Sequence, residues 1–175
     1  MKKYFYPMFI LVVAALPGLL NAQDDANAKR PENIGVSDFD SFKNNSFDIM
    51  DESTKLKTDA TRIDSEVKNY AATISTVTLD KLKTDYNALR GIGKSSKALS
   101  AKIGDLDSQG KNLLASAKNV SPRTKSPAAT NNTNKSIKGL ETSRKNLDAV
   151  TTLVQENTKL LSEELKKRGE VVEED

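Results

Sequence analysis

From Phe39 onward, apolar side chains recur every seven residues. One set of positions is Phe39, Ser46, Ser53, Ala60, Val67 and Ile74, the other Phe42, Ile49, Leu56, Ile63, Tyr70 and Val77, and ten of these twelve are apolar or aromatic. Such a repeat keeps one stripe of a helix apolar along a coiled-coil-like seam and does not fit the two-residue alternation of a strand. Ser37 is placed to cap free amides at the start, and Asp38 and Asp40 suit the positive end of a helix dipole. The pattern predicts a helix over about 37–74.

The register then fails, because its next positions are Lys81 and Thr84. A new series begins with Leu79, Leu82, Tyr86 and Leu89, and continues through Ile92, Leu99, Ile103, Leu106, Leu113, Ala117 and Val120. The phase jump predicts a turn near Ser75 to Thr78, a stretch rich in β-branched and hydroxyl residues that weaken helix. A competing break lies at Gly91-Ile92-Gly93, where Gly suits a helix end and Ser95 suits the start of the next. With the turn near 77, the second helix covers about 79–119.

A third apolar series comprises Ile137, Leu140, Leu147, Val150, Leu153, Val154, Leu160, Leu161 and Leu165. It predicts a helix over about 134–168, stopped by Lys166-Lys167-Arg168-Gly169, where cations meet the negative end of the dipole and Gly turns the chain. The apolar arc is wide enough to touch two neighbours, so the fold class is all-α: three long antiparallel helices in an elongated bundle with coiled-coil-like packing. At 1.5 Å per residue each helix is roughly 50–60 Å long.

Prolines mark the boundaries, since beyond residue 20 they occur only at Pro31, Pro122 and Pro127. Residues 23–36 are polar, contain Pro31 and Gly35, and read as a flexible leader. Residues 121–136 hold two Pro and nine Ser, Thr or Asn, which predicts an exposed polar loop over 121–133. Residues 170–175 read as an acidic tail that frays in solvent.

The start of the chain changes how its charge is read. Met1-Lys2-Lys3, an apolar stretch from Tyr4 to Leu20 and the ending Leu-Asn-Ala before Gln23 match a cleavable secretory signal peptide over 1–22. The stretch is 17 residues with Pro7 and Pro17 inside it, short of the ~20 apolar residues of a spanning helix. It carries two of the 27 basic residues and none of the 24 acidic ones, so the remainder has a formal net charge of only +1. A near-neutral chain gives no support for nucleic-acid binding. Within the helical part the signs alternate: residues 37–78 carry five bases and eight acids, and residues 79–120 eight bases and four acids. Adjacent helices of opposite sign pair favourably, each exposed pair contributing ~0–1 kcal/mol.

Candidate chemistry is sparse. With no Cys there is no disulfide framework or thiolate metal site, and with no His the commonest general base and metal ligand is missing. Ala88 to Ser95, ending Gly93-Lys94-Ser95, fits a relaxed phosphate-loop spacing, but such a loop needs a strand before it and Thr78 to Asn87 read as helix. The Ser-x-x-Lys spacings at Ser65/Lys68 and Ser108/Lys111 lack the companion motifs of acyl-transferring enzymes, and Asp51/Glu52 and Glu163/Glu164 read as solvated faces. No catalytic residue, metal ligand, cofactor or small-molecule substrate is inferred.

Phe39 and Phe42 fall on the seam and plug one end of the bundle. Phe47 and Met50 share a face offset from it and are the candidate partner-docking residues, with packing beneath a neighbouring helix as the plainer reading. Polar seam positions such as Ser46 and Ser53 predict looser packing than a Leu-rich bundle, hence support from a protein partner or self-association. The expected function is an exported, periplasmic or extracellular, non-enzymatic structural or protein-interaction protein of the cell envelope. The alternatives are a periplasmic chaperone or carrier for client proteins or lipids, and a helical protein associated with a membrane surface.

Overall fold

The computed structural model describes residues 29–172; the signal segment 1–22, the first part of the leader and residues 173–175 lie outside the described residues. Three helices form it: α1 over Ser37–Tyr70, α2 over Leu79–Ser116 and α3 over Ser126–Lys167. Short 3-10 turns at Ala71–Thr76, Ala117–Asn119 and Arg123–Lys125 join them, and there is no strand among the described residues.

Cross-helix pairs fix the topology. Ser53 meets Asn146 and Asp64 meets Asn157, both at a separation of 93 residues, so α1 and α3 run parallel. In contrast, Tyr70 meets Asp85 and Lys81 meets Glu66, while Gly110 faces both Phe42 and Ile137, so α2 runs antiparallel to both neighbours. The bundle is therefore up-down-up with coiled-coil-like packing, as the seven-residue seam implies.

Each helix keeps its repeat. The α1 seam is buried at Phe39, Phe42, Ser46, Ile49, Ser53, Ala60, Ile63 and Val67. Along α2 and into the turn after it, Leu82, Leu89, Ser96, Ile103, Gly110 and Ala117 are buried at strict seven-residue spacing, and on α3 so are Ala129, Ser136, Ser143, Val150, Asn157 and Glu164. Two apolar clusters result, one around Phe42, Ile103 and Leu140 and the other around Val67, Leu89 and Leu161. Ser53, Ala60, Ser96, Asn146 and Val150 are buried outside both clusters, and together they form a waist of small and polar residues at mid-height.

Four boundaries differ from the sequence reading, each for a local reason. The loop expected over 121–133 ends at Lys125, because Pro127 sits in the first turn of α3, where a missing amide hydrogen costs nothing. The hydroxyls beyond it are compatible with helix: Thr130, Thr133 and Ser136 each donate to the carbonyl four residues earlier, while Ala129, Thr133 and Ser136 face the core. Ser37 does not cap α1. The Asp40 carboxylate instead reaches back from the first turn and accepts from the backbone amides of Ile34, Gly35 and Val36, which precede the helix.

The leader's described part is tied down rather than flexible. Lys43 Nζ donates to the Pro31 carbonyl at 2.8 Å and to Asn33 Oδ1, and Asn132 Nδ2 donates to the Glu32 carbonyl at 2.9 Å. Likewise the start of the acidic tail docks, with Glu170 paired to Lys83 at 2.8 Å and Val172 packed on the second cluster. The helix break falls before Leu79, and α2 continues without interruption through Gly91 and Gly93. Gly169 ends the bundle at φ 81°, its amide bonding Lys166 and that of Glu170 bonding Leu165, so the carbonyls of the last turn are satisfied.

Glycine replacements separate packing from propensity. A Cβ at Gly91 or Gly104 meets nothing within 4 Å, whereas at Gly110 it lies 2.7 Å from Phe42 Cζ. Gly91→Ala and Gly104→Ala are expected to stabilise by about 0.5–1 kcal/mol each, the helix preference of Ala over Gly. Gly110→Ala is expected to destabilise, overpacking of ~1–3 kcal/mol outweighing that gain. Urea unfolding of the three variants checks the order.

Candidate functional site

The two predicted docking residues lie in the interior. Phe47 is 1% and Met50 5% exposed, so neither offers an apolar patch to a partner, and the docking reading is corrected to packing. Arg30 from the leader covers Phe47, its guanidinium 5.9 Å from the ring centroid, and is held there by Asp48 at 2.6 Å and Asp51 at 3.0 Å. Met50 packs towards α3, with its sulfur 3.5 Å from where a Cβ on Gly139 would stand. A face offset from the seam is buried because α3 and the leader both cover it.

Polar groups that the sequence reading passed over do converge. Asn157 on α3 donates to Asp64 Oδ1 on α1 at 3.0 Å, and Lys68 donates to Asp64 Oδ2 at 2.8 Å. Burial pushes the Asp64 carboxyl up, but the hydrogen bonds from Lys68 and Asn157 and the Lys68 charge outweigh it and hold the group below its ordinary range. At the waist, Asn146 donates to Thr54 Oγ1 at 3.3 Å and accepts from Lys57 Nζ at 3.3 Å.

A second group closes the α1–α2 turn. Tyr70 donates its hydroxyl to Asp85 at 2.8 Å, and Lys81 bridges Asp85 at 2.8 Å and Glu66 at 2.5 Å. Burial, with the hydrogen bond to Asp85, raises the Tyr70 phenol well above its usual value. The Lys81 hydrogen bond, with that of Arg62, lowers Glu66, and the bonds to Asp85 and Glu66 raise Lys81. Arg168 seals the same end from α3, donating to the carbonyls of Val77 and Ile74 at 2.6 Å each and to Glu164 at 2.8 Å.

A chemically mixed cleft of about 420 Å³ lies between α2 and α3. From α2 come Tyr86, Arg90, Gly93 and Lys97; from α3 come Thr151, Val154, Gln155, Thr158, Lys159 and Ser162. Its lining holds three cations and no carboxylate. The motif ending Gly93-Lys94-Ser95 thus lies within an uninterrupted helix, not on a phosphate loop, but Gly93 does form part of the cleft floor. No group of His, Cys, Asp or Glu able to hold a metal occurs among the described residues. The chain matches no protein-family model, no curated protein and no solved structure.

Asp64 gives the bundle an acid limb. Its folded pKa lies below the unfolded value of about 3.9, so the unfolded state binds more protons between the two. The carboxylate's contribution is complete above that value and is lost as pH falls through the folded one. Asp64→Asn is expected to cost about 1–3 kcal/mol at pH 7, the worth of a buried charged hydrogen bond, and the gap from the parent should shrink as pH drops below about 4. Urea titrations across pH 2–7 test this; a gap independent of pH would contradict it.

Proposed function

We propose that the chain is an exported, non-enzymatic helical protein of the cell envelope or exterior, acting through structure and protein contact. The signal-like pattern over 1–22 supports export. The observation that carries the rest is the direction of the buried polar groups: Asp64, Asn157, Asn146 and Lys43 each bond a group on a neighbouring helix, the leader or their own helix. They tie elements together and do not converge on a shared opening where a substrate could react. With Phe47 and Met50 inside, the partner meets the charged flanks of the bundle, acidic along α1 and basic along α2. Such contacts give specificity and association rate more than raw affinity. Among the described residues no helix is long and apolar enough to cross a membrane.

Fractionation with N-terminal sequencing, followed by cross-linking in the native envelope, tests this reading. The expected result is a mature chain starting at Gln23 outside the cytoplasm, cross-linked to one dominant protein species or to itself, with adducts that weaken as salt rises. A cytoplasmic chain that keeps Met1, or an exported chain with no adduct, contradicts it.

A further inference from the structure

The α2–α3 cleft differs from the other polar clusters in that two of its charges have no counter-charge. In those clusters the cations are matched: Lys68 with Asp64, Lys81 with Glu66 and Asp85, and Arg168 with Glu164. Lys97 on α2 and Lys159 on α3 line opposite walls of the cleft as exposed residues with no ion pair among the described residues. Two like charges held on opposing walls raise the local positive potential, which an anion seated between them would relieve.

The floor is apolar and open. Gly93 lies opposite Val154, where a Cβ would come within 3.2 Å of Val154 Cγ1, so a larger residue at 93 would crowd the cleft. Tyr86 closes one end, with the Arg90 guanidinium 5.8 Å from its ring centroid. Gln155 adds an amide at the rim. At about 420 Å³ the recess lies within the ~300–1,000 Å³ of small-molecule sites, which pair an apolar lining with a few placed polar groups.

We propose that this cleft binds a small amphiphile bearing a phosphate head, with Lys97 and Lys159 clamping the head and Gly93 and Val154 receiving the apolar part. Two lysines match a dianionic phosphate as point charges. The site is independent of export and of protein contact, so its failure would leave the function proposed above untouched.

Calorimetric and amide-NMR titration of the full mature chain with octyl phosphate, inorganic phosphate and vesicles tests the proposal. Octyl phosphate should bind saturably, shift the amides around Gly93 and Val154, and bind more tightly than inorganic phosphate. Lys97→Gln with Lys159→Gln should weaken it about tenfold or more, while Lys55→Gln with Lys111→Gln, which removes the same charge elsewhere, should leave it unchanged. Vesicles of phosphatidylcholine containing phosphatidic acid identify a lipid headgroup as the source if they bind through the same two lysines. Octyl phosphate binding without vesicle binding identifies a free small molecule. Absence of octyl phosphate binding, equal affinity for inorganic phosphate, or equal losses in the two double variants would overturn the proposal.

Discussion

The hydrogen bond from Asn157 to Asp64 joins two parallel helices that the chain must bring together from 93 residues apart. Asp64 is 7% exposed, and a buried carboxylate without partners carries a large desolvation cost. Lys68 supplies one partner from α1 itself, and Asn157 supplies the other only when α1 and α3 stand in one register. A slide by one turn would leave the carboxylate without its α3 partner, so a polar contact sets the alignment that the small residues at the waist define poorly by shape. Ala60, Ser53 and Ser96 bring the helices close but offer few features to key one against another. Polar residues on a coiled-coil seam fix register in this way, at some cost in stability.

Both ends of the bundle follow from that alignment. Once α3 is in register, Arg168 reaches the carbonyls of Ile74 and Val77 and closes the α1–α2 turn, where Tyr70, Asp85 and Lys81 lie. At the opposite end, Asn132 and Lys43 hold the leader across α1 and α3, and Arg30 covers Phe47. The polar seam finds hydrogen-bond partners within the bundle. The seam hydroxyls of Ser46, Ser53, Ser136 and Ser143 each donate to a carbonyl of their own helix, so none of these four is an unsatisfied donor.

The heptads of α1 and the phase jump before Leu79 were legible in the sequence because apolar side chains carry that signal directly. The first two turns of α3 were not, because small hydroxyl residues serve loops and helices equally and only burial against α1 and α2 distinguishes them. The docking assignment for Phe47 and Met50 missed for a related reason: a face outside the seam of one helix pair is inside once a third helix and the leader cover it. A usable signal for the central contact was present. Asn157 continues the spacing of Val150 and Leu161, and a lone amide on an apolar seam marks a buried partner across the interface. Asp64 gave no such sign, since beside Ile63 and four residues before Lys68 it resembles an ordinary surface ion pair. The cleft became visible only when α2 and α3 were set side by side, as its lysines lie 62 residues apart in sequence.

A double-mutant cycle on Asp64 and Asn157, read by urea unfolding at neutral pH, tests most directly whether this contact sets the register. Replacing either residue by Leu removes the cross-helix bond and leaves the other buried with only its own-helix partner, so each single change should cost ~1–3 kcal/mol. The double replacement should cost much less than the two together, with a coupling of about 1–3 kcal/mol. Additive losses, with no coupling, would contradict the account.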